Sequence, residues 1–125
     1  MKINLKATNL TLTPPINNYL AEKLATLEKL LPAGDESVRA DVELARVTKH
    51  HRQGEVFKAE INLHLAGFNC YAAETAEEPY AAIDLVRDEI ARQIKTRTEK
   101  RHSLLRRGGR RIKNMLRRLY PWTRR

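Results

Sequence analysis

The residue types that carry catalysis or hold metals are sparse in this chain. His50 and His51 form the one histidine pair and sit in a polar stretch, HHRQG. A structural or catalytic metal site wants three or four ligands converging in tetrahedral geometry. His64 and Cys70 are close in sequence, but strand alternation puts them on opposite faces of a sheet. The ordinary reading is surface histidines and a small buried thiol. Gly108-Gly109 follows no strand and lacks the spacing of a phosphate-binding loop. Glu77-Glu78 stands directly before Pro79 and reads as helix-start charge, not as a carboxylate pair. These residues imply no catalytic constellation, no metal, no cofactor and no small-molecule substrate.

Positive charge is the chemistry the chain does hold in quantity. Residues 101–125 contain ten basic side chains, Arg101, Arg106, Arg107, Arg110, Arg111, Lys113, Arg117, Arg118, Arg124 and Arg125, and no acid. The remaining 100 residues carry 14 basic and 15 acidic residues, so the whole excess of +9 lies in the last fifth of the chain. Such asymmetry points to a polyanion, either nucleic acid or an anionic membrane. Against RNA these groups release counterions and bind with strong salt dependence. Arginine forks onto phosphate and stacks on bases, and Tyr120 and Trp122 could stack on unpaired bases. Ile112, Leu116, Leu119 and Trp122 opposite arginines also fit an interfacial helix, so the membrane reading stays open at this point. The single cysteine cannot form an internal disulfide and fits a reducing cytoplasm. The N-terminus has no secretory apolar region, and no run reaches the roughly 20 apolar residues of a membrane span.

The elements that must position these charges follow from periodicity. Ile3, Leu5 and Ala7 alternate as a half-buried strand. Thr13 and Pro14 read as the N-cap and first residue of a helix with the stripe Ile16, Leu20, Leu24, Leu27 and Leu31, closed by Pro32-Ala33-Gly34-Asp35. Val38, Ala40, Val42 and Leu44 make a second strand. Phe57, Ala59, Ile61, Leu63 and Leu65 make a third, Gly67 a tight connection, and Cys70 and Ala72 a fourth. Pro79 opens a second helix with the stripe Ile83, Val86, Ile90 and Ile94, expected to run to about Arg101 and to be broken beyond it at Gly108-Gly109. The fold class is α+β, in the order β-α-β-β-β-α. A right-handed crossover makes the first two strands parallel, giving a four-stranded mixed sheet with two helices packed on one face. Lys6, Arg39, Asp41, Glu43, Lys58, Glu60, Asn62 and His64 fall on the other, solvated face. The expected domains are a folded body at 1–102 and a basic C-terminal extension at 103–125, disordered or a short amphipathic helix when unbound.

Two stretches, LTLTPPINNYLAEKLATLEKL and PYAAIDLVRDEIARQI, resemble the short ribosome hibernation-promoting factor and ribosome-associated inhibitor family. Tyr80-Ala81-Ala82-Ile83-Asp84 followed by Arg92-Gln93 is the more specific part, and Lys23 with Leu27-Glu28-Lys29 adds to it. The likeness covers roughly residues 1–102. It implies the same β-α-β-β-β-α fold, which is like that of double-stranded-RNA-binding domains. It also implies a cytoplasmic, non-enzymatic translation regulator on the small ribosomal subunit, occupying the decoding region in competition with mRNA and tRNA. The implied contacts are to small-subunit rRNA, through Lys23, Lys29, Arg92 and Lys100. Thr26 and Glu89 stand where relatives are often basic; Lys95, Arg97 and Arg101 are the second-helix cations available to compensate. Arg106, Arg107, Arg110, Arg111, Lys113, Arg117 and Arg118 are the extension's RNA-binding candidates, favoured over membrane contact once the body points to the ribosome. The long members carry a second domain that pairs ribosomes, for which this chain is too short. The competing reading is a free-standing structured-RNA-binding module or RNA chaperone. Tyr71 and Tyr80 remain open between core edge and contact surface.

Overall fold

The computed structural model describes residues 1–31, 37–47 and 54–100 in full, and for 101–119 the helical backbone alone. The elements are β1 (Lys2–Thr8), α1 (Pro14–Glu28), β2 (Arg39–Val47), β3 (Val56–Leu65), β4 (Phe68–Ala76) and α2 (Pro79–Leu119). They form one sheet in the order β1-β2-β3-β4. β1 is parallel to β2, and the other pairs are antiparallel. The predicted order and mixed sheet are therefore observed.

Local chemistry accounts for the boundaries. Thr13 is extended, and its hydroxyl accepts from the Ile16 N–H at 3.4 Å, so the N-cap forms where Thr-Pro predicts it. The α2 helix starts at Pro79, with the Glu78 carbonyl accepting from the Ala82 N–H. The β3–β4 hairpin turns through Ala66-Gly67, and Gly67 has φ +95°, a conformation that suits glycine. That turn fixes the register that pairs Leu63 with Cys70 and His64 with Asn69. Cys70 is buried among the core residues and His64 lies on the opposite face, as alternation requires.

The core lies between the sheet and the helices. Ile16, Leu20, Leu24 and Leu27 of α1 and Ile83, Val86, Ile90 and Ile94 of α2 are buried against Ala40, Val42, Leu44, Ala59, Ile61, Leu63, Cys70 and Ala72. Both predicted stripes hold, except at Leu31. The helix ends at Glu28 with Lys29 as cap, short of the expected Pro32–Asp35 stop. Leu30 and Leu31 turn back through bonds to the carbonyls of Leu27 and Glu28, so Leu31 meets the core from a turn. Residues 32–36 lie outside the described residues, as do His50 and His51.

Two expectations are corrected. Ile3, on the helix side of β1, is 43% exposed and Ala7 is exposed; Leu5 alone of the three packs against the core. β1 is an edge strand, and the helix-side cover is thinner there than over β3 and β4. The second correction concerns α2, which runs 41 residues through Gly108-Gly109 to Leu119, where a break was expected. Two glycines each cost a helix only about 1 kcal/mol relative to alanine. Strong helix formers, Leu104, Leu105, Arg106, Arg107, Arg110 and Arg111, flank them. The backbone beyond Lys100 adds 19 helical residues, about 28 Å at 1.5 Å per residue.

Candidate nucleic-acid interface

The two helices run in the same direction and are joined by a polar seam. The Tyr19 hydroxyl donates to Asp84 Oδ1 at 2.6 Å, and Lys23 Nζ lies 3.4 Å from the same oxygen. Lys23 also sits over the Tyr19 ring, 5.2 Å from its centroid. Tyr80 meets Tyr19 edge-on at 5.1 Å. One turn further along, Arg87 Nε donates to Thr26 Oγ1 at 2.9 Å, and Thr26 donates to the Lys23 carbonyl at 2.6 Å. The Asp84 charge raises the pKa of Lys23, and the hydrogen bond to Asp84 raises that of Tyr19. Lys23 is thus a seam residue as much as a surface cation. Tyr80 belongs to the seam and the core edge.

Arg92 stands at the exposed crest of α2 and is held by Glu89 from one turn earlier. Its Nε donates to the two Glu89 oxygens at 3.0 and 2.8 Å, and Nη2 lies 2.7 Å from Oε2. These hydrogen bonds lower the pKa of Glu89 and raise that of Arg92. Glu89 therefore occupies the guanidinium fork of Arg92, an exposed cation on the helix.

Lys29, Lys95 and Lys100 are exposed and make no ion pair with any described residue. Lys29 caps the C-terminus of α1, where the helix dipole favours a cation. Arg97 is separate. At about 100° per residue it lies on the β4 side of α2, and its guanidinium is 5.0 Å from the Phe68 ring centroid. The structure therefore does not gather on one face the six predicted body cations whose side chains are described. Lys23 and Lys29 flank the seam, Lys95 faces the α1 side, Arg92 forms the crest, and Arg97 and Lys100 turn toward β4. They share a direction along the helix instead. Lys29, Lys95, Arg97 and Lys100 lie toward the end at which α2 continues past the sheet. Arg101, Arg106, Arg107, Arg110, Arg111, Lys113, Arg117 and Arg118 all fall on that continuing helix; their side chains lie outside the described residues, as do Tyr120 and Trp122 entirely.

The open face of the sheet differs in charge. A shallow depression of about 330 Å³ is lined by Asn4, Lys6, Asp41, Glu43, Glu60, Asn62 and Tyr71, among others. Asp41 accepts from Asn4 at 3.0 Å, Glu43 from Thr8 at 2.6 Å and Glu60 from Tyr71 at 2.6 Å. Three carboxylates against one lysine repel phosphate, so the depression is not a phosphate cradle. Tyr71 is 52% exposed on this face and does not cap the core. Among the described residues no group of three histidines, cysteines or acids could hold a metal ion.

Sequence reasoning missed the seam partners Tyr19, Asp84 and Arg87, and it missed Gln93. The Gln93 amide accepts from the Tyr71 N–H at 3.1 Å and donates to the Tyr71 carbonyl at 2.8 Å, as a neighbouring strand would. No local signal shows which α1 residue meets which α2 residue. Gln93 could have been suspected from its helical position facing the edge strand.

The described residues thus define a class of small α+β protein, a four-stranded mixed sheet under two parallel helices with exposed cations toward the end at which α2 continues. Residues 3–102 match the family described as sigma 54 modulation protein / S30EA ribosomal protein, and the chain belongs to that family. It is a family of ribosome-binding proteins, not of enzymes. The chain is 34% identical over 100 residues to a ribosome hibernation promotion factor of Picosynechococcus sp., covering 80% of this chain and 50% of that protein. It thus spans about half the length of that relative. It is 32% identical over 105 residues to a ribosome hibernation promoting factor of Pseudomonas putida, covering 84% of this chain and 94% of that one. Among solved structures it is similar to the N-terminal domain of Thermus thermophilus Protein Y, with 31% identity, a TM-score of 0.62 and coverage of 77% and 98%. A ribosomal subunit interface protein of Coxiella burnetii shares the fold at 17% identity and a TM-score of 0.63, over 79% and 99% of the two chains.

Proposed function

We propose that this chain is a cytoplasmic ribosome hibernation factor. It binds the small ribosomal subunit at the decoding region and keeps mRNA and tRNA out of it. The family match over residues 3–102 carries the reading, together with relatives whose names state ribosome hibernation. The partner surface is small-subunit rRNA. The body supplies shape and helix-borne cations, Lys29, Lys95 and Lys100 foremost because no described acid neutralises them. The extension at 103–125 acts as an arm along the RNA, adding phosphate contacts through Arg106, Arg107, Arg110, Arg111, Lys113, Arg117 and Arg118. No helix among the described residues is long and apolar enough to cross a membrane.

The test is competition on intact small subunits. Bound chain should be displaced by, and should itself displace, initiator tRNA on an mRNA-programmed subunit. Simultaneous occupancy by tRNA and this chain would contradict the decoding-region assignment. Equal binding to naked duplex RNA and to subunits would favour a free-standing structured-RNA module. Replacing Lys95 and Lys100 with Glu should weaken subunit binding at least tenfold at physiological salt.

A further inference from the structure

The strand register aligns three basic side chains directly across the open face of the sheet. Lys2 of β1 pairs with Arg39 of β2, and Arg39 with His64 of β3; Asn69 of β4 ends the row. Lys2 and Arg39 are like charges in directly opposed positions, an arrangement that opposes folding. Other cations on this face are matched. Lys58 lies 3.7 Å from Glu60, and Lys6 shares its row with Glu43 and Glu60. The Lys2 row contains no acid. A single carboxylate one row away, Asp41, serves both Arg39 at 3.7 Å and His64 at 3.0 Å while accepting from Asn4. Lys2 is exposed and has no ion pair among the described residues.

The row's position adds to its charge. It lies at the end of the sheet next to the Ala66-Gly67 hairpin, where Arg97 of α2 stacks on Phe68 and α2 continues outward. The opposite end of the sheet carries Glu55, paired with Arg46 at 3.6 Å, and Glu74, Glu77 and Glu78 at and after the end of β4. The strands are about 4.8 Å apart, so the three side chains span about 10 Å across the sheet.

We propose that Lys2, Arg39 and His64 form a second RNA phosphate contact, on the face opposite the helices. RNA held by the helix cations and the arm passes round the hairpin end of the sheet and onto this row. The inference rests on the reading that the chain binds small-subunit rRNA, and it assigns that RNA a path which the helices do not supply.

The experiment uses the full chain. The triple variant Lys2→Gln, Arg39→Gln, His64→Gln is compared with wild type and with the control Lys6→Gln, Lys58→Gln. Binding to purified small subunits is measured over a salt series. At about 0.7 counterions per cationic contact, the triple variant, which removes the charges of Lys2 and Arg39, should lose about 1.4 from the slope of log affinity against log salt. Its affinity should fall at least tenfold at 0.15 M salt, with the control unchanged. An unchanged slope with intact wild-type binding overturns the row and leaves the functional reading standing. Lys2→Gln alone, which removes no ion pair with a described residue, keeps the test valid if the triple variant folds poorly. It should lose about 0.7 from the slope, and no loss overturns the proposal. If wild type does not bind subunits, the functional reading fails. The row is then judged on a single-stranded RNA of mixed sequence, where a shallower slope for the variants sustains it and an equal slope overturns it. If the variants change binding only to phosphatidylglycerol vesicles, the row is a lipid contact and the RNA proposal is overturned.

Discussion

Arg92 and Glu89 show how a single acid can retune a helix proposed to face RNA. The guanidinium fork that would meet a phosphate is already filled by a carboxylate at 2.7–3.0 Å. RNA must compete with it, and the exposed pair itself contributes little to stability. Glu89→Gln should therefore tighten small-subunit binding several-fold and steepen its salt slope by about one, since one more phosphate contact becomes available. An unchanged slope would remove Arg92 from the interface. The same pair predicts a direction in pH. The Glu89 pKa is lowered by Arg92, so the pair persists above the ordinary carboxylate range and is lost as pH falls through the folded value. Release of Arg92 by acid should then appear only below that range, with no change in this pair between pH 6 and 8. Cys70 supplies a second residue-level test. Burial pushes its thiol up to about 11, with Arg97 opposing only in part. At pH 8 the folded chain should react with a disulfide reagent at least a hundredfold more slowly than the unfolded chain; equal rates would place Cys70 outside the core.

At the scale of elements, the β4 edge is closed from within. An open strand edge invites pairing with another chain, and Gln93 occupies the N–H and C=O of Tyr71 at mid-strand. Gln93→Ala should cost about 1–2 kcal/mol and increase self-association by gel filtration. A variant that stays monomeric would show that the edge needs no such cover. The arm gives a second element-scale prediction. Gly108→Pro should interrupt α2 and weaken subunit binding while leaving the unfolding midpoint of the body unchanged, because the described core ends at Ile94. What the sequence disclosed and withheld divides along these elements. Strand alternation and the Thr13-Pro14 cap are local signals, and they gave the strands, the start of α1 and the faces of His64 and Cys70. The length of α2 was misjudged because a glycine pair reads locally as a stop, whereas its penalty is small beside the strong helix formers around it. The exposure of Ile3 depends on how far the helices reach across the sheet, which no local pattern encodes. The cations were legible as types. Their pairing with Asp84 and Glu89 was not, since the first depends on the helix-to-helix register and the second on rotamers. The Lys2–Arg39–His64 row could have been read from the hairpin turn and the parallel crossover.

For the whole molecule, charge is segregated along one axis. The described body is a balanced, folded platform with acids toward the end where β4 meets α2. Its free lysines lie toward the end where α2 departs, and the chain's entire net charge of +9 lies beyond that point. Such an object orients in the field of a polyanion before it touches it, and its affinity should depend steeply on salt. In the proposed function, the family points to the ribosome as partner and the charge axis to the direction of approach. The most direct measurement is co-sedimentation of the full chain with purified small ribosomal subunits across a salt series, beside a chain ending at residue 102. The account predicts that both bind at low salt, and that the full chain binds more tightly with a slope steeper by several units. Failure of the full chain to bind small subunits at physiological salt would contradict it.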